Sequence, residues 1–210
     1  MDIYDISVPI NNDLTVWFGD PPVSIFQEST IEKDGFTLNR INISAHTGTH
    51  IDAPLHFIEN GGKIGSIELE QLIGPVLVVE IPLDVKIINE HVIDNLNIPV
   101  NTERILFKTA NSKLWGQAKE FVKSYVGLDS SGATAIAKRD IKLVGIDYLS
   151  IALFDDLVKP HKILLSNQIV ILESCNLSAV TAGEYQLICL PIKVNEIEGA
   201  PVRAILMAKD

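Results

Sequence analysis

Four short apolar runs constrain the fold of this 210-residue chain more than any other feature. The first, Val76 to Ile81 within GPVLVVEIP, is a run rich in β-branched residues and reads as a central strand. Arg104 to Thr109 (RILFKT) reads as another strand. Lys142 to Asp147 (KLVGID) reads as a buried strand ending in an acid, and Ile169 to Glu173 (IVILE) as a strand ending at a carboxylate. Tyr185 to Pro191 and Pro201 to Met207 add two more, and the N-terminal DIYDISVPI has a strand-like rhythm. Leu38 to Ser44 alternates apolar and polar residues, as a half-buried strand does.

Helical signals are fewer. Ile88 to Leu96 fits a short helix, and Asp129-Ser130-Ser131 can cap one running through ATAIAKR. Between Phe154 and Leu165, Pro160 requires a helix to start or bend. Gly19-Asp20-Pro21-Pro22 breaks a turn-rich loop that carries Trp17 and Phe18, and Asn60-Gly61-Gly62 makes a second turn. Strands outnumber helices without regular alternation. No repeat, low-complexity tract or composition shift divides the chain. The expectation is an α/β fold: one domain over residues 1–210 with a large, mixed, partly antiparallel sheet.

Charge narrows the partners. The net charge of −10 comes without a basic stripe, which argues against nucleic acid and against docking on anionic lipid. It is compatible with a cation ligand and a small-molecule substrate. Cys175 and Cys189 lie in apolar runs and read as buried thiols rather than a disulfide framework. MDIYDISVPI lacks the basic start of a signal peptide, and the apolar runs are too short to span a bilayer. The cytoplasm is the expected location.

Chemistry concentrates in HTGTHIDAPLH. Three of the five histidines, His46, His50 and His56, fall there together with Asp52. In a straight strand His46 and His50 would stand roughly 13 Å apart, at about 3.3 Å per residue, too far for one ion. The chain must therefore curl after the Ile41–Ser44 segment, and Gly48 offers the freedom to do so. Asp52 can then turn its carboxylate into the same place. Ala53-Pro54 stops a helix and puts His56 on a new segment, near an ion but not bound to ligate it. Two imidazoles and a carboxylate leave room for a bound water. His91 has no motif and reads as a surface helix residue.

HTGTHIDAPLHF resembles the signature of the cyclase-like metal-dependent hydrolases, a family that includes bacterial kynurenine formamidases. DISVPI with VWFGDPP, LVGIDYLSI and the closing GEYQLICLPIKVNEIEGAPVRAIL are similar to further segments of that family, so the resemblance covers nearly the whole chain. It implies a swivelling β/β/α fold and two divalent metal ions, zinc or sometimes manganese. It assigns His46, His50 and Asp52 to the first ion, with Asp52 bridging, and His161 and Glu173 to the second. It makes His56 the general acid/base and Trp17 a substrate contact, in a homodimer or homotetramer. The activity implied is hydrolysis of an amide C–N bond, with N-formylkynurenine or a related aryl formamide as the leading substrate. A cyclic amide, imide or lactone is the alternative, and a metal- or small-molecule-binding protein without turnover is the rival of another class. The chain departs from the family pattern at Phe18 and Pro160, and it lacks a second acid after Asp147. None of these removes a matched ligand, but each bears on the pocket wall.

Overall fold

The four apolar runs lie side by side. The computed structural model describes residues 2–117 and 120–208. Its strands are β1 (Ile3–Asp5), β2 (Ser24–Ser29), β3 (Leu38–Asn42), β4 (His50–Asp52), β5 (Ile73–Glu80), β6 (Ile87–Ile88), β7 (Arg104–Lys108), β8 (Gly127–Leu128), β9 (Leu143–Ile146), β10 (Val170–Glu173), β11 (Gly183–Pro191) and β12 (Gly199–Ala208). β5, β7, β9 and β10 run parallel to one another. β11 and then β12 extend this set antiparallel from β5. β4 is antiparallel to both β10 and β12, so β12-β11-β5-β7-β9-β10-β4 close into a mixed, barrel-like ring. β1 continues the β4 position along the far part of β12.

The ring explains why the runs are apolar at successive positions. Leu106 and Leu172 join Ile51, Val78, Leu187 and Leu206 in a core enclosed by the strands. Their neighbours Ile105, Phe107 and Ile171 point the other way, into a second core covered by Ile93, Ile136 and Leu164. Those covering residues come from helices α3 (Glu90–Asn95), α4 (Ser130–Ala137) and α5 (Val158–Ser166). The shorter α1 (Ile31–Asp34) and α2 (Leu69–Leu72) precede them in the chain.

Asn89 Oδ1 accepts the Val92 N–H at 3.0 Å and starts α3. Asp129 Oδ1 accepts the Ser131 and Gly132 N–H groups at 2.9 and 2.8 Å and starts α4, as the capping residues predict. α5 begins at Val158, which leaves Pro160 in the first turn, where its missing N–H costs no helical bond.

One expectation needs correcting. Leu38 to Ser44 forms a strand only as far as Asn42, and it is not half-buried: all five residues of β3 are exposed, Ile41 by 62%. β3 pairs with β2 alone, in a two-stranded ribbon outside the ring. Alternation reports an extended chain with two unlike faces, but it does not report whether anything covers the apolar one. Cys175 and Cys189 are buried free thiols. Among the described residues no helix is long and apolar enough to cross a membrane.

Candidate metal centre

The site is built where the ring closes. Alternation along β4 sends Ile51 into the enclosed core and turns His50 and Asp52 together to the opposite face. Across the β10–β4 pair, Glu173 lies directly opposite His50. His46 comes from the preceding turn, which is curled as the spacing requires. Gly48 there takes φ +69°, a left-handed conformation that favours glycine. The His46 and His50 ring centroids end 5.0 Å apart. α5 contributes His161 from the covering layer. His56, on a 3-10 turn at Pro54–His56, stacks on the His46 ring at 4.0 Å.

The polar atoms converge. His46 Nδ1 is 3.0 Å and His50 Nε2 3.5 Å from Asp52 Oδ1. His161 Nε2 is 3.8 Å from Asp52 Oδ2 and 3.2 Å from Glu173 Oε1, and His50 Nε2 is 3.4 Å from Glu173 Oε2. Two groups of potential ligands result, His46/His50/Asp52 and Asp52/His161/Glu173, with Asp52 in both. Ligands bonded at about 2.0–2.2 Å around a tetrahedral ion stand about 3.3–3.6 Å apart, and the spacings here, from 3.0 to 3.8 Å, bracket that range. His50 Nε2 and Asp52 Oδ2 are buried and have no hydrogen-bond partner among the described residues. His50 Nδ1 donates to Gly48 O at 2.8 Å and His161 Nδ1 to Leu157 O at 2.6 Å, so each ring presents Nε2 as a lone pair. Two imidazoles and a carboxylate in the first group, and one imidazole and two carboxylates in the second, suit a divalent cation such as zinc or manganese. The residues present fit such ions.

Charge balance shows what competes with a cation. Burial works against protonating His46, but the hydrogen bond and charge of Asp52 outweigh it and lift the pKa to about 9. Burial opposes ionisation of Asp52, yet His46 and the neighbouring imidazoles hold it below the usual carboxylate range. Burial also opposes charge on His161, and Glu173 outweighs it and raises that pKa. Glu173 is pushed up by burial and by Asp52, and the neighbouring His161 and His50 imidazoles bring it below its ordinary value. His56 goes the other way: burial lowers it, only partly offset by Asp52.

The ion-free site therefore holds a proton on His46 at neutral pH. A ligating imidazole must be neutral, so an entering cation is expected to expel about one proton from His46. Calorimetric zinc titrations at pH 7 in two buffers of different ionisation enthalpy should read this release. Binding should tighten with rising pH until about pH 9, where the His46 proton is already gone. No proton release at pH 7 would contradict the protonated His46–Asp52 pair.

The aromatic wall follows from the loop. Trp17 lines a cavity of about 150 Å³ together with His50, His56, His161 and Glu173. It packs on Phe121 and Phe154, with centroids at 4.9 and 5.7 Å, so one indole both closes the domain surface and borders the site. A larger cleft, about 890 Å³, lies under the N-terminal loop between Asn11 and Trp115. Its described lining holds no histidine or glutamate.

Sequence reasoning missed four neighbours. The Ile151 N–H donates to Glu173 Oε1 at 2.6 Å, and Phe57 stacks on His161 at 4.4 Å. Glu198 Oε1 comes within 3.5 Å of His46 Nε2, and a Cβ on Gly199 would lie 2.6 Å from His46 Cε1. Phe57 belongs to the quoted motif and Gly199 follows an acid at a strand start, but neither signal names a contact. Asp147, the other strand-end acid, is buried away from the cluster. It accepts the N–H and hydroxyl of both Thr109 and Ser112. His91 is exposed on α3.

A family model described as "Putative cyclase" matches residues 4–152. Cyclase-like protein 3 of Oryza sativa subsp. japonica is 38% identical over 217 residues, covering 98% of this chain and 79% of that protein. A kynurenine formamidase of Bacillus cereus (strain ATCC 10987 / NRS 248) is 34% identical over 204 residues, covering 96% and 95%. The solved structure of a predicted metal-dependent hydrolase from Bacillus stearothermophilus has a TM-score of 0.84 at 30% identity, covering 98% and 97%.

Proposed function

Because the chain belongs to the cyclase family of metal-dependent hydrolases, we propose that it hydrolyses an amide C–N bond, with N-formylkynurenine or a related aryl formamide as substrate. The observation that carries this reading is His56. It stacks on His46 beside the converging donors, yet belongs to neither ligand group. A site that only stored a cation would have no use for a non-ligating imidazole facing the same cavity.

We assign two divalent cations to the two groups, zinc first and manganese as the alternative. Bound there, a cation supplies a water of pKa lowered to about 7 and polarises the substrate carbonyl. His56, kept neutral by burial, accepts the proton of the attacking water at its ring nitrogen. The imidazolium so formed is favoured by the charges of Asp52 and Glu173. It returns the proton to the leaving nitrogen as the C–N bond breaks, so water and formamide give formate and a free amine. An aryl amine leaves more readily than an alkyl amine. A cavity of about 150 Å³ is the size that accepts one benzene ring, and Trp17 borders it.

Two results separate this reading from its neighbours. Protein loaded with zinc or manganese should hydrolyse N-formylkynurenine and simple aryl formamides faster than cyclic imides or isatin. The reverse order would move the substrate to a ring amide. Stoichiometric metal without hydrolysis across the panel would make the chain a binding protein.

The chain is also read as a homodimer or larger homo-oligomer. The β2–β3 ribbon presents Phe26 and Ile41 to solvent, and a two-stranded ribbon without a covering face is marginal in isolation.

A further inference from the structure

We propose that Glu198 is the outer carboxylate of His46: it accepts the Nε2 proton and holds the ring with Nδ1 turned to the cation. The inference rests on the metal-centre reading above. The three histidines of the two ligand groups are not held alike. His50 and His161 each commit Nδ1 to a backbone carbonyl, Gly48 O and Leu157 O, which leaves Nε2 for the site. His46 is reversed. Its Nδ1 is the atom 3.0 Å from Asp52 Oδ1, the carboxylate that the two ligand groups share. Its Nε2 is buried and has no hydrogen-bond partner among the described residues.

Glu198 Oε1 lies 3.5 Å from that nitrogen. A small side-chain rotation brings it to hydrogen-bonding distance, and Glu198, 38% exposed, has room to make it. The backbone around it is fixed to the strand that carries the ligands. The Ala53 N–H donates to Glu198 O at 2.8 Å, and Gly199 pairs with Asp52 across β12–β4. Gly199 shapes the seat, since any Cβ there would press on the His46 ring at 2.6 to 3.1 Å. Carboxylate–histidine–metal arrangements set ring tautomer and ligand basicity, and removing the carboxylate typically costs about 10–100-fold in metal affinity.

The test is a zinc titration of the full chain in competition with a chromogenic chelator, on the native protein, Glu198→Ala and Glu198→Gln. Glu198→Ala should bind about 10–100-fold more weakly at the His46 group. Glu198→Gln should recover much of the affinity, because an amide carbonyl still accepts the Nε2 proton. The melting temperature of the metal-free protein should stay at the native value in both variants, and cobalt loaded in place of zinc should keep its visible spectrum. Native affinity in Glu198→Ala would overturn the proposal. So would a cobalt spectrum altered in both variants, which would make Glu198 a ligand, or an equal loss of metal-free stability in both, which would make it structural. A native chain that binds zinc but hydrolyses nothing leaves this inference standing and removes only the proposed activity. A native chain that binds no cation removes both.

Discussion

Asp52→Ala is expected to weaken both cation groups at once. Asp52 is fully buried and is the one residue common to the two groups. Its Oδ1 faces His46 and His50, and its Oδ2 faces His161. Without it, three imidazoles face one another with Glu173 as the remaining carboxylate of the cluster. Elemental analysis of protein purified with added zinc should fall from two ions per chain to one weakly held ion or none.

The same change has a signature in the ion-free protein. Asp52 raises the His46 pKa from 6.5 to about 9, so their pairing contributes stability that is fully present below pH 6.5. That contribution fades as the pH rises through about 9. Breaking a buried pair by removing one partner costs about 3–5 kcal/mol, so metal-free Asp52→Ala should be destabilised by that order at pH 6 and by much less at pH 10. Two ions retained in Asp52→Ala, or a pH-independent loss, would contradict the shared-carboxylate arrangement.

His56→Ala is expected to separate chemistry from binding. The His56 ring touches His46 but completes neither ligand group. Metal content should therefore stay at the native level, while turnover falls about 10²–10⁴-fold, the usual worth of a positioned proton carrier. The native pH–rate profile should rise along an acidic limb set by a group titrating below 6.5, since burial depresses His56. That limb should be absent from the residual activity of the variant. Loss of metal together with turnover would instead make His56 a ligand.

These expectations rest on residues that the sequence exposes to very different degrees. His46, His50 and Asp52 are legible because one curl and one strand step join them within seven positions, and local geometry suffices. Glu173 is not legible that way. It reaches the site through the β10–β4 register, which seats it opposite His50, and no spacing rule encodes that register. His161 arrives from a helix packed over the sheet, and Glu198 through the β12–β4 pairing.

Two strand-end acids make the point. Asp147 and Glu173 close neighbouring parallel strands and look alike in sequence. One carboxylate is saturated by Thr109 and Ser112, and the other faces His50 and His161. What surrounds each decides its chemistry, and those surroundings are long-range. The exposed β3 strand is the same lesson in reverse, since its local pattern held and its burial did not.

The most direct test of a metal-dependent hydrolase at this centre is to strip the protein with a chelator and add zinc or manganese back in steps. Turnover of an aryl formamide should be read against ions bound per chain. Turnover should be negligible at zero occupancy and recover in step with filling of the His46, His50, Asp52, His161 and Glu173 cluster. Full turnover by the stripped protein would contradict metal dependence.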